Sequence, residues 1–217
     1  MLAIAGGKGG CGKTTTTYRL GRALAADGRS PLLVDADVEM PDLHRVAGVP
    51  GRPGLAAVAD GHRLTSVAHT PTEYPELAVL SATSADTDDV DTAVSRLRGW
   101  DGLVLLDCPA GAMADAVGPL RAADRTVVVS TPRRRSLRDA VKTAAMAREL
   151  DAPALGTVLV ETCPTDDATT VPAETARAVM NCPVAARVSY VSSGDRPTEP
   201  LPTAYQALAR KVQQRNI

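Results

Sequence analysis

Glycine, lysine and threonine recur at regular spacing in one stretch near the start of the chain, Gly6-Gly7-Lys8-Gly9-Gly10-Cys11-Gly12-Lys13-Thr14-Thr15. The residues from Gly7 to Thr14 satisfy G-x-x-x-x-G-K-[ST], the pattern of a phosphate-binding loop. Such a loop needs glycine because its backbone N–H groups turn inward around phosphate oxygens, and a Cβ would block their approach. Lys13 would place an ammonium against the β- and γ-phosphates, and the Thr14 hydroxyl would ligate Mg²⁺.

The residues on either side of this loop fit the same interpretation. The apolar run Leu2–Ala5 predicts a buried strand, and Lys13–Ala26 predicts a helix whose N-terminal dipole faces the anion. The chain has only four lysines beside twenty arginines, and two of them, Lys8 and Lys13, lie in the loop. Where arginine is used nearly everywhere else, a retained lysine indicates a role that needs a compact ammonium.

Two further segments place carboxylates just after apolar, strand-like runs. The first run leads into Asp35 and Asp37, and Leu103–Leu106 leads into Asp107. Carboxylates that follow a buried strand are costly unless they face a cation or water. Beside a phosphate loop, such a group positions the attacking water or the Mg²⁺ shell, and Asp107 would reach the metal, usually through water.

Residues after these carboxylates suggest smaller roles. Gly111 can bring its backbone N–H close to a γ-phosphate, so that loss of the phosphate would release its segment. His44 is expected to be a structural or surface histidine rather than a ligand.

These three motifs resemble the MinD/ParA group of ATPases. K-G-G-x-G-K-T is that family's deviant Walker A loop, D-x-D-V-x-x-P-D-L-H from Asp35 resembles its switch I, and D-x-P-A-G from Asp107 its switch II. The similarity covers most of residues 1–150. It implies ATP and Mg²⁺ as cofactors, and a nucleotide-dependent homodimer in which Lys8 reaches the partner's nucleotide.

The resemblance also implies a set of site residues. Asp37 orients or activates the attacking water, with Lys8 and Lys13 as the other catalytic residues, and Asp35 supports that water or the metal. The metal set is Thr14, Asp35 and Asp107. The nucleotide-binding set is Gly7, Lys8, Gly9, Gly10, Cys11, Gly12, Lys13, Thr14, Thr15 and Gly111.

Strand-like runs alternate with longer helical patterns along the chain, which predicts a parallel sheet with helices on both faces. We therefore expect an α/β protein with the three-layer P-loop NTPase fold, a mostly parallel central sheet and a single domain over residues 1–217. The predicted strands are Leu2–Ala5, Pro31–Asp35, Leu77–Ser81, Leu103–Asp107, Thr126–Ser130, Leu155–Val160 and Val184–Val188. The predicted helices are Lys13–Ala26, Leu55–Asp60, Asp89–Leu97, Ala114–Ala122, Ser136–Leu150, Ala173–Met180 and Thr203–Gln213. Arg196–Pro202, rich in proline, is predicted to be a loop.

Composition limits the classes of function. A net charge of −1 gives no global attraction to nucleic acid or anionic membrane, and aromatic residues make up only 2%, which disfavours base stacking. The four cysteines lack C-x-x-C spacing, and neither a signal peptide nor a membrane-length apolar run is present, so we expect a cytoplasmic protein with reduced thiols. The tail from Ala209 to Ile217 has few large apolar residues, so direct membrane insertion is not expected.

Two local features leave alternatives open. Arg133, Arg134 and Arg135 stand at the N-terminus of a predicted helix, where the dipole disfavours cations. They mark either a site for an acidic partner, DNA or lipid headgroups, or a solvated basic turn. Cys11 lies beside Lys13 at a helix N-terminus, which would lower its thiol pKa. With Cys108, it either makes a redox-sensitive ATPase or fills space.

Three functions fit these features. The leading one is an ATP-controlled switch whose dimerisation governs localisation or partner binding. A metal or iron–sulfur cluster carrier of the same fold, or a nucleotide-dependent binding module with little hydrolysis, are the alternatives. Many relatives place a base-reading Asn after the sixth strand, where this chain has Glu161-Thr162-Cys163, so base selectivity is not assured by a matched residue.

Overall fold

A computed structural model of the chain describes residues 1–163, 170–190 and 201–215. Its seven strands are β1 (Leu2–Gly6), β2 (Leu32–Asp35), β3 (Ala78–Leu80), β4 (Val104–Ala110), β5 (Arg125–Ser130), β6 (Ala154–Val160) and β7 (Val184–Val188). They form one sheet in the order β3-β2-β4-β1-β5-β6-β7, and every neighbouring pair is parallel. An α/β architecture with a mostly parallel sheet is therefore confirmed.

The helices cover both faces of this sheet, as predicted. They are α1 (Lys13–Ala26), α2 (Leu43–Ala47), α3 (Leu55–Ala59), α4 (Leu64–Val67), α5 (Thr87–Arg96), α6 (Val117–Ala122), α7 (Arg134–Glu149), α8 (Ala173–Met180) and α9 (Thr203–Gln213). Apolar side chains of α1, α2 and α9 form one core layer, and those of α3 to α8 pack on the opposite face. Three layers result.

Side-chain alternation along the central strands divides the core. In β1, Leu2 and Ile4 face α1 and α9, whereas Ala3 and Ala5 face the other layer. In β4, Leu105 faces α1, so Asp107, two residues further on, points to the same face as period-two alternation requires. Asp35, at the end of β2, is the register partner of Asp107, in the middle of β4.

All seven predicted strands are present, and β4 extends past Asp107 to Ala110. Among the helices, α6 begins at Val117 after a 3₁₀ turn at Ala114–Ala116, α7 begins at Arg134 rather than Ser136, and three further predictions need correction. α2 and α4 were not predicted, because each is only four or five residues long and too short to show a helical period. α5 begins at Thr87 rather than Asp89, because Asp86 caps it: its side chain accepts the Asp89 N–H, and the Asp89 side chain accepts that of Asp86. The predicted loop at Arg196–Pro202 lies outside the described residues up to Pro200, and the single-domain assignment stays a prediction.

The apolar face of the last helix, α9, packs against the core. Tyr205, Leu208, Ala209 and Val212 are all buried against α1 and β7. The two final residues of the tail, Asn216 and Ile217, lie outside the described part of the chain. Among the helices that are described, none is long and apolar enough to cross a membrane.

Gly7 sits where the loop after β1 touches α7. A Cβ on Gly7 would overlap the backbone of Asp139 and Ala140, whereas a Cβ on Gly9 would meet nothing within 4 Å. We therefore predict that Gly7→Ala destabilises the protein by about 1–3 kcal/mol through overpacking against a rigid helix backbone. Gly9→Ala is the matched control, and its melting temperature should stay close to that of the wild type. Thermal unfolding of the nucleotide-free proteins measures both, and equal losses in the two variants would contradict this interpretation.

Candidate nucleotide site

The loop between β1 and α1 forms a concave turn at the carboxyl edge of the sheet. Gly10 and Gly12 adopt left-handed backbone conformations, with φ of 72° and 93°, which glycine adopts without a steric cost. Gly12 is the N-cap of α1, and its carbonyl accepts the N–H of Thr16 at 2.9 Å. The loop therefore leads into the N-terminus of α1, a helix of 14 residues, and the positive end of the helix dipole faces the concave side of the loop.

A cleft of about 550 Å³ opens over this turn. Six residues of the loop and first turn of α1 line it: Gly9, Gly10, Gly12, Lys13, Thr14 and Thr15. The opposite wall includes Asp37 and Ala110, and the far end reaches Glu161, Thr162, Ser189 and Tyr190. Its lining thus includes both the loop and the residues that follow β6 and β7, which leaves room for a base as well as a phosphate chain.

The two lysines of the loop face different surroundings. Lys13 is only 8% exposed and lines the cleft, and its charge acts on the nearby carboxylate of Asp107. Lys8 is exposed and does not line the cleft. The two lysines therefore lie in different surroundings, Lys13 at the cleft and Lys8 exposed outside its lining.

Asp107 lies buried beneath the first turn of α1. The hydroxyl of Thr17 donates to its Oδ1 at 3.2 Å, and the side chain of Thr14 also hydrogen-bonds to it. Burial raises the pKa of Asp107 to about 6, against the opposing effects of the Thr14 hydrogen bond, Lys13 and Thr17. The negative charge of Asp107 is thus only partly neutralised by its neighbours. Beside a threonine hydroxyl, such a carboxylate is a suitable ligand for a divalent cation.

Asp35 holds the segment that follows β2. Its Oδ1 accepts the N–H of Asp37 at 3.1 Å and its Oδ2 accepts the N–H of Leu43 at 3.1 Å. Burial raises the pKa of Asp35 well above its usual range, the neighbouring charge of Asp107 raises it further, and the two N–H bonds oppose the shift. Asp35 thus fixes both ends of the turn that carries Asp37, whose own Oδ1 accepts the N–H of Met40 at 3.0 Å.

The remaining predicted residues lie around this centre without lining the cleft. Gly7 packs on α7, and Gly111 donates its N–H to the carbonyl of Gly6 at 2.8 Å. His44 is half-buried, with Nδ1 3.2 Å from the Ser81 hydroxyl, and burial, with Arg45, lowers its pKa. These contacts agree with a structural role for that histidine.

The predicted effect on the cysteine thiols is wrong. Cys11 is 1% exposed, and burial raises its pKa, outweighing Lys13 and the backbone N–H groups that lower it. Burial also raises the pKa of Cys108, which is fully buried, and the charge of Asp107 raises it further. Both thiols are protonated, space-filling groups in this environment.

Residues at the far end of the cleft were missed in the sequence. Ser189 and Tyr190 directly follow β7, and Tyr205 of α9 hydrogen-bonds with Thr16 of α1 at 3.3 Å. Ligands of parallel α/β sheets gather at the carboxyl ends of strands, so the residues after β7 could have been found by extending that rule beyond the three motifs. This rule does not apply to Tyr205, because Tyr205 lies in the last helix rather than after a strand.

The buried carboxylate pair has a consequence for stability. The pKa of Asp107 is about 6 in the folded protein and about 4 when unfolded, so the folded state binds more protons between these values. The nucleotide-free protein should therefore lose stability as the pH rises from about 4 to about 6, and stay weakened above.

Asp107→Asn removes that buried charge. We predict that it stabilises the nucleotide-free protein at pH 8 by an amount on the order of 2 kcal/mol, and that the gain vanishes near pH 4. Chemical denaturation at both pH values measures the difference. Asp101→Asn, at an exposed carboxylate, is the control, and a gain of equal size at both pH values would contradict the prediction.

A β-strand, a glycine loop, a helix N-terminus with a buried lysine, and a threonine beside a buried aspartate together define a P-loop nucleotide site. The model of the ParA family, described as NUBPL iron-transfer P-loop NTPases, matches residues 1–171. The chain belongs to this family, and the resemblance of its three motifs to the MinD/ParA group is confirmed.

Individual relatives agree with this placement. The chain is 30% identical over 149 residues to the septum site-determining protein MinD of Synechocystis, covering 64% of this chain and 56% of that protein. It is 30% identical over 171 residues to an uncharacterized ATP-binding protein of Methanocaldococcus jannaschii, covering 73% of this chain and 62% of that protein. The chain thus spans somewhat over half the length of these curated relatives.

Solved structures match along nearly the whole chain. The cell division ATPase MinD of Pyrococcus furiosus superposes with a TM-score of 0.85 at 26% identity, over 98% of each chain. MinD of Pyrococcus horikoshii, solved as a complex with Mg-ADP, superposes with a TM-score of 0.85 at 25% identity, over 99% of this chain and 96% of that one. The three-layer P-loop NTPase fold is therefore confirmed.

Proposed function

We propose that this chain is a Mg²⁺-dependent ATPase that works as a switch, closing as a homodimer when ATP is bound and opening after hydrolysis. One observation carries the proposal: Lys13 is buried and lines the cleft, while Lys8 of the same loop is exposed and does not line it. A lysine that stands outside its own site is available to the site of a second subunit.

The residues of the cleft fit a magnesium nucleotide. Open space in front of Gly9 and Gly10 leaves their backbone accessible to phosphate, and a Cβ would fill it. Thr14 and Asp107 offer the hard oxygen ligands that Mg²⁺ prefers, directly or through water. Mg²⁺ held there would neutralise charge on the phosphate oxygens. The Mg-ADP in the Pyrococcus horikoshii relative supports this assignment.

Four residues have distinct roles in ATP turnover under this proposal. Lys13 binds the β- and γ-phosphates from within the subunit, and Lys8 binds the partner's nucleotide from across the dimer. Asp37, held by Asp35 through its backbone N–H, orients the attacking water. The Gly111 N–H, which donates to Gly6 in this structure, turns to the γ-phosphate, so hydrolysis would return it to Gly6 and relax its segment.

The dimer gives the first test of this proposal. Wild-type protein should change from monomer to dimer when ADP is replaced by a slowly hydrolysed ATP analogue, as measured by sedimentation velocity. Lys8→Ala should bind the analogue with near wild-type affinity yet stay monomeric, because Lys8 is absent from its own cleft. An identical size with both nucleotides, or a Lys8→Ala dimer, would contradict the proposed switch. Lys211→Ala, on α9, is a control for loss of a lysine.

The proposed switch acts through a partner molecule that distinguishes the dimer from the monomer. We infer that the dimer controls localisation or partner binding and that turnover is slow until an activator binds, as a binding module with little intrinsic hydrolysis would behave. The Aquifex aeolicus relative solved as a MinC:MinD complex shows that a protein of this fold assembles with a second protein. Turnover measured with and without cell extract separates an autonomous enzyme from an activated one.

Metal or cluster delivery is the second candidate, because the matching family model is described by iron transfer. Within the described residues, no group of three His, Cys, Asp or Glu side chains could hold a metal. Cys11 and Cys108 are buried, and Cys163 and Cys182 are only partly exposed. Anaerobic reconstitution with iron and sulfide tests this candidate, and visible cluster absorbance would favour it over the switch.

A further inference from the structure

A small groove separates the start of α7 from α8 and the residues that lead into it. Arg134, Leu137, Arg138, Val171, Thr175 and Val179 line this α7–α8 groove, which has a volume of about 260 Å³. Its size falls below the range of about 300–1,000 Å³ that is usual for small-molecule sites. The groove suits a side chain presented by another protein better than a complete small ligand.

The groove is apolar at its base and along one rim. Leu137 and Val171 are 3% and 7% exposed and pack with the core cluster between α7, α8 and the sheet. Val179, on the last turn of α8, is 49% exposed. A half-exposed valine beside an apolar floor offers burial to an aliphatic group that enters from solvent.

The other rim is basic, and the stability of α7 does not explain it. Arg134 and Arg138 are exposed and lie four residues apart, so they share one face of the helix. Like charges at this spacing destabilise a helix slightly, and cations in the first turn oppose its dipole. Neither arginine forms an ion pair with a carboxylate in the described part of the chain.

In the part of the chain that the structure describes, two acidic side chains on α7 and α8 already have basic partners. Asp139 pairs with Lys142 at 3.4 Å, and Glu174 pairs with Arg177 at 3.8 Å. Arg133 is set apart from the groove, because its guanidinium contacts the Sγ of Cys163 at 3.1 Å. Arg134 and Arg138 therefore line the same groove, and these neighbouring carboxylates do not neutralise their charge.

We propose that the α7–α8 groove is a docking site for an acidic protein segment that carries one aliphatic side chain. Its carboxylates pair with Arg134 and Arg138, and the aliphatic group inserts between Leu137, Val171 and Val179. DNA fits the surface less well, because contacts to a phosphate backbone come from charged and polar groups, to which an apolar floor adds nothing.

The position of the groove connects it to the nucleotide loop. Arg138 directly precedes the Asp139–Ala140 backbone that packs against Gly7. A segment bound at Arg138 therefore rests on the helix turn that supports the loop. This proposal does not depend on hydrolysis or dimerisation, and it can be tested on nucleotide-free protein.

Fluorescence anisotropy tests the proposal with a fluorescein-labelled peptide, GSDEDELDEDGS, and its partner GSDEDESDEDGS, in which serine replaces leucine. The leucine peptide should bind the full chain at low salt at least about fivefold more tightly than the serine peptide, because it buries an aliphatic side chain. Arg134→Glu with Arg138→Glu should weaken binding at least about tenfold, since attraction becomes repulsion. Val179→Asp should weaken binding of the leucine peptide and leave unfolding and ATP binding unchanged.

The control is a second pair of exposed arginines that line a different pocket, changed as Arg98→Glu with Arg121→Glu. Peptide binding should survive in that variant. Equal affinity for the two peptides, an equal loss in the control pair, or no binding at all would overturn the proposal. Tighter binding of duplex DNA, lost with Arg134→Glu and Arg138→Glu but unaffected by Val179→Asp, would overturn it in favour of nucleic acid.

Discussion

Lys13→Ala should lower the affinity for ATP by at least about a hundredfold, since a cation some 4 Å from a phosphate near a protein surface contributes about 4 kcal/mol. The ammonium of Lys13 is 8% exposed at the floor of the cleft, where water screens it poorly. Isothermal titration with ATP and Mg²⁺ measures the loss. Turnover should fall to the background rate, because a protein that does not bind nucleotide cannot hydrolyse it.

Lys142→Ala is the matched control for Lys13→Ala. Lys142 is an exposed lysine of α7 that pairs with Asp139 at 3.4 Å and does not line the cleft. Its loss should leave ATP affinity unchanged. Folding of Lys13→Ala needs a separate check by circular dichroism, because Lys13 also acts on the buried charge of Asp107. A folded Lys13→Ala protein with wild-type affinity would refute the assignment of the phosphate site.

Asp37→Ala should separate binding from chemistry. The side chain lines the cleft from the segment after β2, where general base or water-orienting groups typically contribute about 10²- to 10⁴-fold in rate. ATP affinity should stay within a few-fold of the wild type, because Asp37 adds a negative charge near the phosphates rather than a binding contact. The variant should therefore accumulate in its ATP-bound form. Phosphate release under single-turnover conditions, together with binding of an ATP analogue, measures both effects.

Glu39→Ala controls for the removal of an acidic group from the same segment. Glu39 is exposed and two residues away from Asp37, and it does not line the nucleotide cleft. Its turnover should remain close to that of the wild type. If Asp37→Ala hydrolysed ATP at the wild-type rate, or if Glu39→Ala were equally impaired, the attacking water would have to be oriented by another group.

The sequence indicates the centre of the candidate site through strong local signals. The glycine spacing and the lysines form one local motif, and period-two alternation in the parallel sheet places the aspartates of β2 and β4. Asp35 and Asp107 are thus register partners on the face of α1. The sequence did not reveal that Asp35 fixes the turn through Leu43, because Leu43 lies eight residues further on, at the start of the unpredicted helix α2.

Tertiary burial accounts for the other differences. The Cys11 thiol lies beside a lysine and a helix N-terminus, which lower its pKa, yet desolvation outweighs both. How deeply a residue is buried does not follow from its neighbours in the sequence. The α7–α8 groove joins residues more than thirty positions apart in the chain, so the run of arginines alone left its partner undecided. Only its packing against Leu137 and Val179 distinguishes an apolar floor from a solvated turn.

Mixing two inactive variants tests the central claim, that Lys8 serves the neighbouring subunit. Lys8→Ala and Asp37→Ala should each lack turnover alone. In a mixed dimer, the site of the Lys8→Ala subunit keeps its own Asp37 and receives Lys8 from its partner. Each mixed dimer therefore has one complete site, and because Lys8→Ala does not pair with itself, an equal mixture should restore turnover to at most about half of the wild-type rate. If Lys8 acts within its own subunit, the mixture stays as inactive as its components, and that result would contradict the account.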